Sequence, residues 1–145
     1  MKSIVKLVSI IAASIMLNAC GPSSSPENAL AKELAENFLA ATHTGKIDEA
    51  MAMAHPEFFG SRQPNDWKNY YSMVDEHLGK FESMTLKKGL ADEKLTGIFY
   101  MYQFNAKYEK GLAKEMVTMI RRVNDDKPLR VFGHRIDSSK LPREE

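Results

Sequence analysis

The segment MAMAH at residues 51 to 55 sets two thioethers and an imidazole close together, donors that suit copper(I). On a helix each residue turns by ~100°, so Met51 and Met53 point roughly 200° apart and cannot share one ion. The spacing favours methionines as flexible core filler, with His55 as a cap. His43 and His77 each fall near a predicted helix C-terminus, where an imidazole meets the helix dipole favourably. His134 stands alone on a predicted strand. None of the four histidines has a partner at ligand spacing, so neither metal nor cofactor is expected.

Proton transfer asks for an acid inside a cavity, within reach of a substrate. Asp48, Glu49, Asp75 and Glu76 fall on predicted polar faces, and Asp92 and Glu93 in a predicted turn. Glu115 is the one acid placed inward, and its neighbours Lys114 and Arg121 offer it an ordinary surface ion pair instead. No catalytic residue is assigned, and the chain is expected not to be an enzyme, an isomerase- or hydrolase-like activity being the minority alternative.

Aromatic residues make a second set. Trp67, Tyr70 and Tyr71 share a helical spacing, and Tyr100 and Tyr102 lie on one face of a predicted strand. One reading is a pocket whose phenols orient a small apolar ligand. The other is a core built from large rings, which their spacing favours. Phe99 and Met101, on the opposite face of that strand, are candidates for an outer contact surface with a protein partner.

The only cysteine, Cys20, belongs to a different chemistry. Lys2 and Lys6 precede an uncharged run from Leu7 to Leu17, too short for a helix that must cross ~30 Å of hydrocarbon. A basic start, a short apolar stretch and a small residue predict an export signal cut after Ala19. Leu17-Asn18-Ala19-Cys20 resembles the lipobox of bacterial lipoproteins. That resemblance implies a diacylglycerol thioether on Cys20, cleavage between Ala19 and Cys20, and a fatty acyl chain such as palmitate on the new amino group. Two or three such chains hold a protein on a membrane almost permanently. With Gly21 rather than aspartate next, the resemblance implies the outer membrane, facing the periplasm, if the cell is Gram-negative. The thioether also removes the sole thiol, which excludes disulfides, thiolate catalysis and cysteine-ligated metals.

These residues divide the chain into a signal peptide (1–19), a lipidated cysteine with polar tether (20–26), one globular domain (27–138) and a polar tail (139–145). Loss of the signal takes the formal charge from +1 to about −1, too weak a field to attract nucleic acid.

The domain must supply the elements that place the candidate residues. Leu30, Ala31, Leu34, Ala35, Phe38 and Ala41 predict a helix from Glu27 to Gly45. Ile47, Ala50, Met51 and Ala54 predict a second, ended by Pro56. Asn65 or Asp66 is expected to cap a third that carries Trp67, Tyr70, Tyr71, Val74 and Leu78. Thereafter the period falls to two: IFYMYQFNAKY at 98–108 alternates, and further strands are predicted at 82–88, 113–123 and 129–137. Three helices followed by four antiparallel strands predict an α+β domain, helices on one face of a curved meander.

In that order, AENFLAATHTGKIDEAMAMAHPEFF (35–59), LGKFESM (78–84), YEKGLAKEMVTMIRR (108–122) and LRVFGHRID (129–137) resemble the cystatin-like cone shared by ketosteroid isomerase and nuclear transport factor two. They resemble, more closely, small bacterial lipoproteins of that superfamily. The resemblance implies a cone open at one end. In enzymatic members acids and tyrosines inside it act on a ligand, and in others side chains fill it while the outer sheet face binds a partner.

Overall fold

The computed structural model describes residues 25–123 and 126–142. The predicted signal, including Ala19, and residues 20–24 of the tether, including Cys20, lie outside the described residues, as do Asn124, Asp125 and residues 143–145 of the predicted tail.

Helix α1 spans Pro26–His43, α2 Ile47–Ala52 and α3 Pro64–Leu78, with a 3-10 turn at Pro56–Phe59 between the last two. Ser25 caps α1 through its hydroxyl, which accepts from Asn28 N–H at 3.2 Å, and Pro26 fits the first turn because its missing donor is not needed there. The buried line of α1 is Ala31, Ala35, Phe38, Leu39, Ala41 and Thr42. Leu30, expected in that line, is 57 % exposed, because the small Ala31 and Ala35 set which side of the helix meets the sheet. The N-cap of α3 is Gln63, not Asn65 or Asp66: Pro64 takes the first helical position, so the cap moves before it. Asp66 still serves that end, accepting from Gln63 N–H at 3.3 Å.

Four strands follow, β1 (Phe81–Lys94), β2 (Gly97–Tyr108), β3 (Gly111–Arg122) and β4 (Arg130–Asp137), paired antiparallel in sequence order. On β2 the buried positions are Tyr100, Tyr102, Phe104, Ala106 and Tyr108, the predicted alternation. Asp92 and Glu93 lie within β1, opposite Phe99 and Ile98, and not in a turn. Gly89 lets the strand run on, since a Cβ there would stand 2.7 Å from the Tyr102 ring. The reversal comes at Leu95 and Thr96, and Gly97 (φ +154°) lies against the Arg121 carbonyl, where a Cβ would sit 2.3 Å away.

Helices and sheet form the two layers of an α+β fold with an open four-stranded sheet. Phe38, Leu39, Trp67, Tyr71, Phe104, Val117 and Met119 are buried in the core between them. Leu141, in the tail expected to be polar, packs against that core. No described helix is long and apolar enough to cross a membrane.

Candidate functional site

Period-two alternation carries Glu115 to the inner face of β3, where it is fully buried. The same alternation turns His134 of β4 and Tyr108 of β2 inward, and the last turn of α1 brings His43 over them. Tyr108 Oη donates to Glu115 Oε1 at 2.5 Å, and His43 Nε2 meets the same oxygen at 2.9 Å. His134 Nε2 meets Oε2 at 3.1 Å, and the far nitrogen of that ring, Nδ1, lies 2.8 Å from Tyr71 Oη on α3. With the carboxylate ionised, both Nε2 atoms donate to it, and a neutral His134 accepts from Tyr71 at Nδ1. One carboxylate thus ties together α1, β2, β3 and β4 directly, and α3 through His134.

The electrostatics follow the geometry. Burial pushes the Glu115 carboxyl up, but hydrogen bonds from His134 and His43 outweigh it and hold the group well below the usual carboxylate range. Burial raises the Tyr108 phenol far above its ordinary value, and the Glu115 charge and hydrogen bond raise it further. Burial likewise raises Tyr71, with Tyr70 and Glu115 adding to the shift. Ring contacts close the cluster: Phe81 stacks on His43 at 3.7 Å between centroids, and Phe38 meets His134 edge-on at 5.3 Å.

This is the constellation that sequence reasoning missed. The sequence offered Glu115 an exposed pair with Lys114 or Arg121, yet its partners are two histidines and a tyrosine, and Arg121 pairs with Glu27. His134 is not alone, and His43 does more than end a helix. Their separation in sequence hid them; the inward phase of positions 108, 115 and 134 was the available signal.

The chemistry open to the cluster is narrow. Both carboxylate oxygens accept hydrogen bonds, and both His134 nitrogens are engaged. His134 borders a solvent-open recess of about 520 Å³ shared with Arg62, Tyr70, Met73 and Arg135. Among the described residues, no group of three or more His, Asp or Glu is placed to hold a metal. The histidine nitrogens point at carboxylate oxygens and do not converge on a common centre.

The five aromatic candidates fall into two groups. Trp67, Tyr70 and Tyr71 contact one another at 5.6–5.7 Å between centroids, with the Arg62 guanidinium over Trp67 and Tyr70. Trp67 Nε1 is buried without an acceptor among the described residues. Tyr102 lies elsewhere, donating to the Asn28 carbonyl at 2.7 Å, and Tyr100 is buried on the same strand face. Met51 and Met53 pack on the core, and His55 Nδ1 accepts from Glu57 N–H at 3.2 Å, the filler and the cap that the spacing predicts.

Phe99 and Met101 face away from the helices and are half-buried. Phe99 meets Phe132 edge-on at 5.5 Å, and with Met101 and Leu95 it borders a shallow recess of about 620 Å³.

No protein-family model matches the chain, and no curated protein matches it. Among solved structures it is similar to that of Bd1075 from Bdellovibrio bacteriovorus, with a TM-score of 0.53 over 75 % of this chain at 6 % identity. The chain spans 39 % of the length of that structure, and the likeness is one of fold.

Proposed function

We propose that the chain is a lipid-anchored protein of the bacterial envelope whose single cystatin-like domain binds a partner and turns nothing over. The lipobox-like LNAC at 17–20 supports the anchor on Cys20. The observation that carries the binding reading is the contrast between the two sheet faces. Inside, the Glu115 network spends its hydrogen-bonding capacity on itself. Outside, Phe99, Met101 and Phe132 make an apolar patch for a protein or another envelope component.

The patch is tested by placing a photo-crosslinking residue at Met101 of the full chain and irradiating intact cells. A discrete adduct is expected, lost on Phe99→Asp while the thermal melt is kept. No adduct, or a Met101→Lys variant that unfolds, overturns the patch. The anchor is tested by Cys20→Ser, which should block lipid labelling and leave uncut precursor; normal processing would mean an ordinary signal peptide.

A second reading, a small-ligand carrier, has one observation in its favour: the recess beside His134. Native mass spectrometry of the purified protein would give an added mass, lost on Tyr70→Ala, if that reading holds.

A further inference from the structure

Exposed apolar side chains border the place where the chain enters the domain, at Leu86 and Leu90 beside the first turn of α1 and at Leu95 and Val123 on the β1–β2 tip, while Leu112, 71 % exposed, lies apart from them near the β2–β3 turn. Leu95 is 100 % exposed, Leu30 57 %, Val123 53 %, Leu90 48 % and Leu86 43 %. Their neighbourhood is fixed by contacts. Tyr102 ties β2 to Asn28 in the first turn of α1, and Asn28, Ala29, Leu86 and Leu90 line one groove of about 560 Å³. Glu27 pairs with Arg121 at the end of β3, and Val123 N–H donates to the Thr96 carbonyl at the hairpin tip.

Two facts about this end bear on what covers it. From Cys20 to Pro26 the chain has six steps of at most ~3.5 Å, so the first turn of α1 stays within about 20 Å of the lipidated residue. The β2–β3 turn at Glu109 and Lys110 lies at the other end of the 12-residue β2, some 35–40 Å from the β1–β2 tip and about 23 Å from Tyr102, where the first turn of α1 packs, at ~3.3 Å per residue. Lys32, Lys94 and Arg121 are each paired with a carboxylate nearby, whereas Lys87 and Lys88, between Leu86 and Leu90, are in no ion pair among the described residues. Apolar side chains flanked by unpaired lysines match the boundary of a bilayer with anionic headgroups.

We propose that this end docks on the lipid surface holding the anchor, the leucines entering the headgroup boundary and Lys87 and Lys88 meeting anionic lipid. The docking rests on the anchored reading of Cys20. It gives the domain an orientation, with the Phe99–Phe132 face beside the membrane and the Glu109–Lys110 turn pointing away.

The test uses the full lipidated chain in vesicles of phosphatidylethanolamine with phosphatidylglycerol. Lipidation consumes the Cys20 thiol, so Leu95→Cys supplies a single site for an environment-sensitive dye, and Lys110→Cys gives the distal control. Quenching by nitroxide lipids is expected to be at least about threefold stronger at 95 than at 110. Lys87→Glu with Lys88→Glu is expected to lower it by a further factor of about three, as is vesicle lipid without phosphatidylglycerol. Equal quenching at the two sites overturns the proposal. So does a site 95 shielded from water but not reached by lipid quenchers, the sign of a protein partner there. Quenching that ignores both charge changes overturns the role of the lysines. If Leu95→Cys unfolds, Thr96→Cys takes its place. A chain with no lipid mass on Cys20, and no flotation with vesicles, defeats the anchored reading itself and the docking with it.

Discussion

Glu115 shows how one buried charge can set a pH dependence. Its carboxyl is held below the usual range, while in the unfolded chain it titrates near 4.3. Between those values the unfolded state takes up a proton that the folded state refuses, so stability falls as pH falls. The contribution is complete above about pH 5 and lost progressively below. Urea midpoints measured from pH 7 to pH 3 should therefore drop in the native protein, with a shallower drop in Glu115→Gln. The phenols of Tyr71 and Tyr108 act at the opposite end. Above about pH 10 the unfolded phenols ionise and the folded ones resist, so stability falls as pH rises, less steeply in Tyr108→Phe. Glu115→Ala leaves three donors facing a gap and should cost about 3 kcal/mol at pH 7 by urea titration. A loss under about 1 kcal/mol would mean that water replaces the carboxylate freely.

At the scale of elements, β1 runs to Lys94 because two glycines permit close approaches. Gly89→Val drives a branched side chain into the Tyr102 ring, with an expected cost of about 1–3 kcal/mol in thermal or urea melts and release of the Tyr102–Asn28 bond. Gly97→Ala meets the Arg121 carbonyl, backbone that cannot swing aside, and should be the worse of the two. Such contacts were invisible in the sequence, where Asp92 and Glu93 read as turn formers; only the partner strand shows why a strand continues through them. What was legible is what periodicity encodes: three helices, the inward tyrosines of β2, and the order of the strands. Periodicity also placed Glu115 inward but could not find its partners, since His43 lies 72 residues away and His134 lies 19 away on another strand. Pairing across a sheet depends on register, and register is set by the whole meander.

At the scale of the molecule, the patch proposed for a partner at Phe99 and Met101 and the end proposed to face lipid at Leu86 to Leu95 are adjacent surfaces. Their adjacency makes a demand. A partner seated on the outer sheet face must approach from the side of the bilayer, and the anchored domain must keep that face clear of lipid. Met101→Lys should therefore abolish crosslinking from a probe at Phe132 while leaving nitroxide quenching at site 95 unchanged. Lys87→Glu with Lys88→Glu should do the reverse, lowering quenching while the crosslink persists at reduced yield, because the domain still meets its partner but at more varied angles. Lys88 is the diagonal neighbour of Met101 across the β1–β2 ladder, so these changes couple, and the combined variant should lose both signals with a stability change that departs from the sum of the two by about 0.5 kcal/mol or more. If instead Met101→Lys lowers the quenching at 95 by more than about twofold, the hydrophobic patch itself enters the headgroup region. The two surfaces would then be one, and lipid would be the partner of the outer face.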